Sequence, residues 1–357
     1  MLHRLEKMRA AMAEADCEAF VSFNAPANEY LTGFRGSTSA VLITANAARF
    51  LSDFRYAEQA ESQVEGYEIH VVKGTLETRA GEHLFAMKAS KVAFDPQVTT
   101  VYQAEKFSEA FNGIVEPAGD LVRALRWIKD DEEIARLRDA NDLAEEVLHE
   151  VLQELRPGML EWELSAQIEY QFKVRGAQGP SFEPIVLFGA RSSLPHGVPG
   201  DKALETGDIV LIDMGCIHRS YCSDLTRTYA FGRIPGTWFE EIYEITLEAQ
   251  RAATEAVCSG ALGKEVDAAA RDIIAEAGYG EFFGHGLGHG VGLEVHEAPR
   301  MNMQSETALA PGMAVTIEPG IYLPGQGGVR IEDLVVVTEY GCDVLTKSAK
   351  ELKVLGL

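Results

Sequence analysis

Apolar residues recur along the chain in two rhythms. The opening stretch MLHRLEKMRAAMAEADC spaces them as an amphipathic helix does. Short β-branched and aromatic runs follow about 20 residues apart: EAFVSF, AVLITA, ARFLSDF, EIHVVKG and KVAFD, with helical stretches between them. This alternation predicts a small α/β domain over the first third of the chain. Within it, NEYLTGFRGSTSA (residues 28–40) is rich in Gly, Ser and Thr and carries aromatics that look exposed, so it reads as a functional or interface loop, with a plain turn as the alternative. From Asp130 to Leu155, DDEEIARLRDANDLAEEVLHEVLQEL keeps helical spacing and places acids in its first turn, where the helix dipole favours them. Pro157 and Gly158 stop that helix, and MLEWELSAQIEYQFKVRG starts another that ends at Gly176. Further on, IVLIDMG, TRTYAFG, MAVTIEPGIYL and GVRIEDLVVV read as strands, with helices near 237–258 and 264–277. The expected organisation is an α/β domain over 1–124 followed by an α+β domain over 125–357.

Length agrees with two cores, because 357 residues exceed the roughly 250 at which a single core stops growing. A net charge of −23, from 55 acidic against 32 basic residues, repels phosphate backbones and anionic lipid, which argues against nucleic acid and membrane partners. No apolar run approaches the roughly 20 residues that span a bilayer, and the start has no secretory signature, so a cytoplasmic protein is expected. The five cysteines are scattered without a CxxC pair, which indicates free thiols rather than disulfides or a zinc knot.

Three clusters carry candidate chemistry. VLIDMGCIHRSYCSDLTRTYAF (residues 210–231) reads as a hairpin turning at His218 and Arg219, which sets Asp213 directly opposite Asp224. Facing like charges are unfavourable unless a cation compensates them; the bland alternative is two aspartates decorating a solvated face. GHGLGHGVGLEVHE (residues 284–297) packs His285, His289 and His296 among glycines that let backbone and imidazole approach a ligand closely. Packing alone explains such density poorly, and the HExxH spacing of zinc helices is absent. In TIEPGIY and GVRIEDLVV, Glu318 and Glu332 sit at or within strand-like segments, where charges are seldom buried unless paired or metal-bound. Alternation puts Arg330 on the face of Glu332, so a buried Arg330–Glu332 ion pair is the competing reading. Four carboxylates and an imidazole are too oxygen-rich for a typical structural zinc site and suit hard or borderline divalent ions.

IDMG, SDLTRT, GHGLGHGVGLEVHE, TIEPGIY and GVRIED, in that order, resemble the pita-bread metallopeptidases, the fold of methionine aminopeptidase, aminopeptidase P and prolidase. The resemblance implies two divalent ions, manganese first and cobalt or zinc as alternatives, on Asp213, Asp224, His289, Glu318 and Glu332. It further implies supporting roles for His196 in SLPHG, for His285 and His296, and for Arg330, with Glu318 doubling as general base. NEYLTGFRGS and LSDFRYAEQA resemble the creatinase-type N-terminal domain of the proline-specific branch, which implies hydrolysis of the bond before proline and a homodimer whose Tyr30–Ser37 loop approaches the partner's active-site mouth. Those N-terminal motifs favour an Xaa-Pro aminopeptidase over an Xaa-Pro dipeptidase (prolidase) restricted to dipeptides. A dipeptidase needs a cation for the substrate's free carboxylate, and Arg300 and Arg330 are the candidates. A metal-free creatinase-like amidinohydrolase or a non-catalytic binding module of the same fold would not be expected to keep all five ligands.

Overall fold

The computed structural model describes residues 2–356. The chain divides into two compact units, Met1–Arg126 and Trp127–Leu357.

In the first unit, β1 (Ala19–Ser22), β2 (Ala40–Thr44), β3 (Ala48–Ser52), β4 (Glu68–Val71), β5 (Lys91–Phe94) and β6 (Ile114–Pro117) form one mixed sheet in the order β4-β3-β2-β1-β5-β6. The five runs expected as strands are strands, and β6 is an addition that its short, half-polar sequence hid. Val21, Leu42, Leu51, Leu84, Val92, Phe107 and Phe111 are among the core residues, contributed by the sheet and by helices Leu76–Ala86 and Val101–Phe111. Residues 28–40 form a loop only over 33–39, because 28–32 belong to a helix. Asn24 caps a helix, Ala25–Thr32, that has proline in its first turn and ends at Gly33 with φ 80°. Tyr30, on that helix, and Phe34, just beyond its end, are buried rather than exposed.

In the second unit the strands are β7 (Gly179–Pro180), β8 (Ile185–Phe188), β9 (Ile209–Met214), β10 (Cys216–His218), β11 (Tyr221–Cys222), β12 (Leu225–Phe231), β13 (Gly288–Gly290), β14 (Glu297–Met301), β15 (Ala314–Ile317), β16 (Gly320–Leu323), β17 (Gly327–Arg330), β18 (Asp333–Val337), β19 (Cys342–Val344) and β20 (Val354–Leu355). Their sheets run β20-β12-β9-β8, β14-β13-β15-β18-β19, β11-β10-β7 and β16-β17. Each of the two larger sheets backs onto helices. Helices Asp131–Gln153 and Glu161–Val174 bury Ala144, Val147, Leu148, Leu164, Ile168 and Phe172 against Val210, Ile212 and Leu225. Helices Thr237–Ala256 and Gly263–Glu276 bury Ile242, Leu247, Val266 and Ile274 against Val315, Ile317, Val329 and Val335. The expected α+β character holds, with strands inside and amphipathic helices outside. Asp130 starts the long helix through a reciprocal capping box with Glu133. Among the described residues no helix is long and apolar enough to cross a membrane.

Two runs read as continuous strands are interrupted. MAVTIEPGIYL breaks at Glu318–Pro319, and GVRIEDLVVV breaks at Ile331–Glu332. Pro319 has no N–H to donate to a ladder, so pairing lapses there. Ile317 faces Asp333 on one side of the gap and Gly320 faces Arg330 on the other. The register is therefore the same on both sides, and Glu318 falls across from Glu332.

Candidate metal centre

The β9–β12 hairpin corrects the expected turn by one residue and so moves the cross-strand partners by two. Its turn is Arg219–Ser220, both at positive φ (49° and 73°), the backbone of a tight two-residue hairpin turn. Asp213 consequently faces Thr226, and Asp224 lies two residues before Thr226 on the same face, diagonal to Asp213 rather than opposed to it. The carboxylates still meet: oxygens of Asp213, Asp224 and Glu332, all buried, lie within 4.8 Å of one another.

His289 enters from the second large sheet, at the centre of β13. Glycines allow that approach, because a Cβ on Gly288 would come within 2.0 Å of Thr316 O, and one on Gly290 within 2.3 Å of Ala298 O. The His289 Nδ1–H donates to Gly290 O at 3.2 Å, a tautomer assigned from this network. Nε2 then points at Asp224 Oδ2 (3.6 Å) and Glu318 Oε1 (3.3 Å). Only a proton on Nε2 or a cation among these atoms makes that arrangement favourable. Thr316 Oγ1 accepts from His289 N and donates to Glu318 Oε1, both at 3.0 Å, locking the two residues to one another.

Arg330 does not pair with Glu332, the partner that alternation of side chains offers it. Ile331 and Glu332 lie in the strand break, and the guanidinium turns to Asp213 Oδ2 at 2.6 Å. It also donates to Thr226 Oγ1 (3.1 Å), Tyr322 Oη (2.8 Å) and Pro195 O (3.2 Å). Thr226 Oγ1 in turn donates to Glu332 Oε2 at 2.7 Å. Tyr322 bridges Arg330 to His285, whose Nε2 accepts from the phenol at 2.9 Å while Nδ1–H donates to Gly286 O at 2.8 Å. The second neighbouring histidine, His296, stands edge-on to His289 with ring centroids 4.4 Å apart. Thr226, Thr316 and Tyr322 are site residues that the sequence does not single out. Their proximity to the candidate ligands, inside DLTRT, TIE and EPGIY, is the one signal it offers.

The electrostatics are those of a site short of positive charge. Burial drives Asp224 well above the usual carboxylate range, and the charges of Glu332, Asp213 and Glu318 add to it. Glu332 is raised by burial first and then by Glu318 and Asp213; Asp213 is raised by burial although Arg330 pulls against it. Burial acts upward on Glu318 too, but the hydrogen bond and charge of His289, followed by His285 and Arg330, hold it at about 2. Asp213 Oδ1 and Glu332 Oε1 are buried without a hydrogen-bond partner. Buried carboxylate oxygens left bare cost several kcal/mol each unless a cation satisfies them. The donor set therefore fits bound divalent cations, and its richness in oxygen favours a hard or borderline ion.

The cluster forms part of the lining of a cavity of about 530 Å³, with His196, His285, His296, Arg300 and Arg330 also on its walls. Every candidate site residue read from the sequence thus borders one space. Phe182, Ile185 and Met301 supply apolar wall.

Residues 135–339 match Metallopeptidase family M24, and residues 4–128 match the Creatinase/Prolidase N-terminal domain. A solved Xaa-Pro dipeptidase from Bacillus anthracis is 43% identical and superposes with a TM-score of 0.96, covering 99% of each chain. An X-Pro aminopeptidase structure from Thermotoga maritima MSB8 is 36% identical at a TM-score of 0.90, over 97% of this chain and 100% of the other. The Xaa-Pro dipeptidase of Pyrococcus horikoshii is 49% identical over 233 residues, 65% of this chain and 66% of the relative. The second unit is accordingly a pita-bread domain, and the first is of the creatinase type. With a carboxylate cluster that demands cations set inside a fold shared end to end with peptidases, the chain belongs to metallopeptidase family M24 and is a metallo-exopeptidase.

Proposed function

We propose that the protein is an Xaa-Pro dipeptidase, hydrolysing the peptide bond before proline in dipeptides. The N-terminal motifs favour the aminopeptidase; the dipeptidase is better supported, both by the relatives and by the arginines. The observation that carries it is the division of labour between the two arginines. Arg330 is committed to Asp213, Thr226, Tyr322 and Pro195 O. Arg300 is exposed, lines the same cavity, and has no carboxylate partner among the described residues, so it is available to a substrate's free C-terminus.

In this reading Asp213, Asp224, His289, Glu318 and Glu332 hold two divalent ions, manganese first, with cobalt and zinc as alternatives. When bound, such a pair supplies an acidified water and polarises the scissile carbonyl. Glu318 accepts the proton as general base. His285 has both ring nitrogens engaged and acts by orientation, whereas His296 is exposed to the cavity and donates to the developing oxyanion. His196 orients the substrate. Proline's tertiary nitrogen needs no acceptor, which suits the apolar wall of Phe182 and Ile185. A homodimer is part of the proposal, checked by light scattering.

The test compares Xaa-Pro dipeptides with Xaa-Pro-Xaa tripeptides on protein reconstituted with manganese, cobalt or zinc. Cleavage of dipeptides alone supports the reading, and efficient removal of the first residue from tripeptides replaces it with the aminopeptidase. Arg300→Gln should raise KM for the free dipeptide far more than for its C-terminal amide.

A further inference from the structure

We infer that Glu161, with Arg191, is a positioning residue that pins the segment 188–200 so that His196 is presented to the substrate. The inference rests on the Xaa-Pro reading above and concerns residues outside the metal cluster.

Glu161 opens the helix Glu161–Val174 and is fully buried. Its carboxylate accepts from Phe188 N and from Gly200 N, both at 2.8 Å, so a single side chain closes the two ends of the segment. Arg191 Nε adds a two-pronged contact at 3.0 and 2.9 Å, and Arg191 Nη2 donates to Val198 O at 2.7 Å. The same junction is tied through the backbone, where Trp162 N donates to Gly200 O and Glu161 N to Lys202 O, each at 3.2 Å. A helix N-terminus stabilises a carboxylate placed there.

What this clamp holds is the wall of the active cavity. Pro195 and His196 line it, and Pro195 O accepts from Arg330. The apex has little packing of its own to fix it: His196 is exposed, and its neighbours Leu194 and Val198 are 45% and 64% exposed. Polar pins at the base therefore take over the work that a core would otherwise do.

The experiment uses the full-length, manganese-loaded protein and the variants Arg191→Met and Glu161→Gln. Arg191→Met removes one side of the clamp and leaves the buried carboxylate on its two backbone donors, so it folds even if Glu161→Gln does not. Expected are a rise in KM for an Xaa-Pro dipeptide of about tenfold, kcat within about twofold, and unchanged metal content. Hydrogen exchange of residues 189–200 should accelerate while that of β9 and β12 stays slow. Unchanged KM, unchanged exchange across 189–200, or loss of metal with kcat and KM both degraded each overturns the inference, the last by making Glu161 a general stabiliser. A wild type that cleaves no Xaa-Pro substrate overturns the proposed function instead, and the exchange measurement then decides the pin by itself.

Discussion

Replacing Asp224 by Asn should make the metal-free protein more stable while abolishing tight metal binding. Asp224 shares a buried space with Asp213 and Glu332, their oxygens within 4.8 Å of one another. At an effective dielectric near 20, two ionised carboxylates at that separation repel by about 3.5 kcal/mol. Asp224 partly escapes this by holding its proton, as its strongly raised pKa indicates, and Arg330 offsets part of the charge of Asp213. The net relief is then about 1–3 kcal/mol near neutral pH, and the new amide can donate to the bare oxygens Asp213 Oδ1 or Glu332 Oε1. For a domain of this size that is an upward shift in Tm of about 2–10 °C. The pH dependence follows from the direction of the shift. A carboxylate whose folded pKa lies above its unfolded value contributes stability that is present below the unfolded pKa and lost as pH rises through the folded one. Chelator-treated wild type should therefore lose stability from pH 5 to pH 8, and Asp224→Asn should lose less. Calorimetry at both values reads the difference. With saturating manganese the order reverses, because the wild type gains binding free energy that the variant lacks. A metal-free variant no more stable than wild type at pH 8 would refute the claim that repulsion dominates this cluster.

Three further outcomes probe the residues around the ligands. Thr226→Val strips Glu332 Oε2 of its donor and Arg330 Nε of an acceptor, so metal affinity should fall by about 10- to 100-fold in a chelator competition assay. Tyr322→Phe leaves His285 Nε2 without its donor and removes one acceptor from Arg330; urea unfolding should register a loss of about 1–3 kcal/mol, with metal stoichiometry kept. Gly288→Ala forces a methyl to within 2.0 Å of Thr316 O, a backbone atom that cannot swing away. That variant should lose more than about 2 kcal/mol and bind metal poorly, and a thermal melt within a degree of wild type would contradict the packing described for β13.

Much of this site is legible in the order of the amino acids, and the limits of that legibility have physical causes. Ordered motifs name Asp213, Asp224, His289, Glu318 and Glu332, and the hydrophobic rhythm places the helices and most strands that carry them. Local pattern stops where contacts are long-range. The hairpin turn slips by one residue because HRS offers two near-equivalent turn pairs, and only the backbone of Arg219 and Ser220 chooses between them. Glu318 and Glu332 come to face each other through a ladder whose gap Pro319 helps to make. Arg330 takes Asp213, 117 residues away, over the near neighbour that alternation offers. The clamp of Glu161 on Phe188 and Gly200 joins positions 27 and 39 residues apart, and no periodicity encodes it. Sequence by itself determined which side chains are chemically able to hold a cation and which faces must be buried, since those follow from residue type and spacing. Tertiary structure alone decided which of those side chains meet, because burial of several like charges in one place is a property of the assembled sheets and of no segment within them.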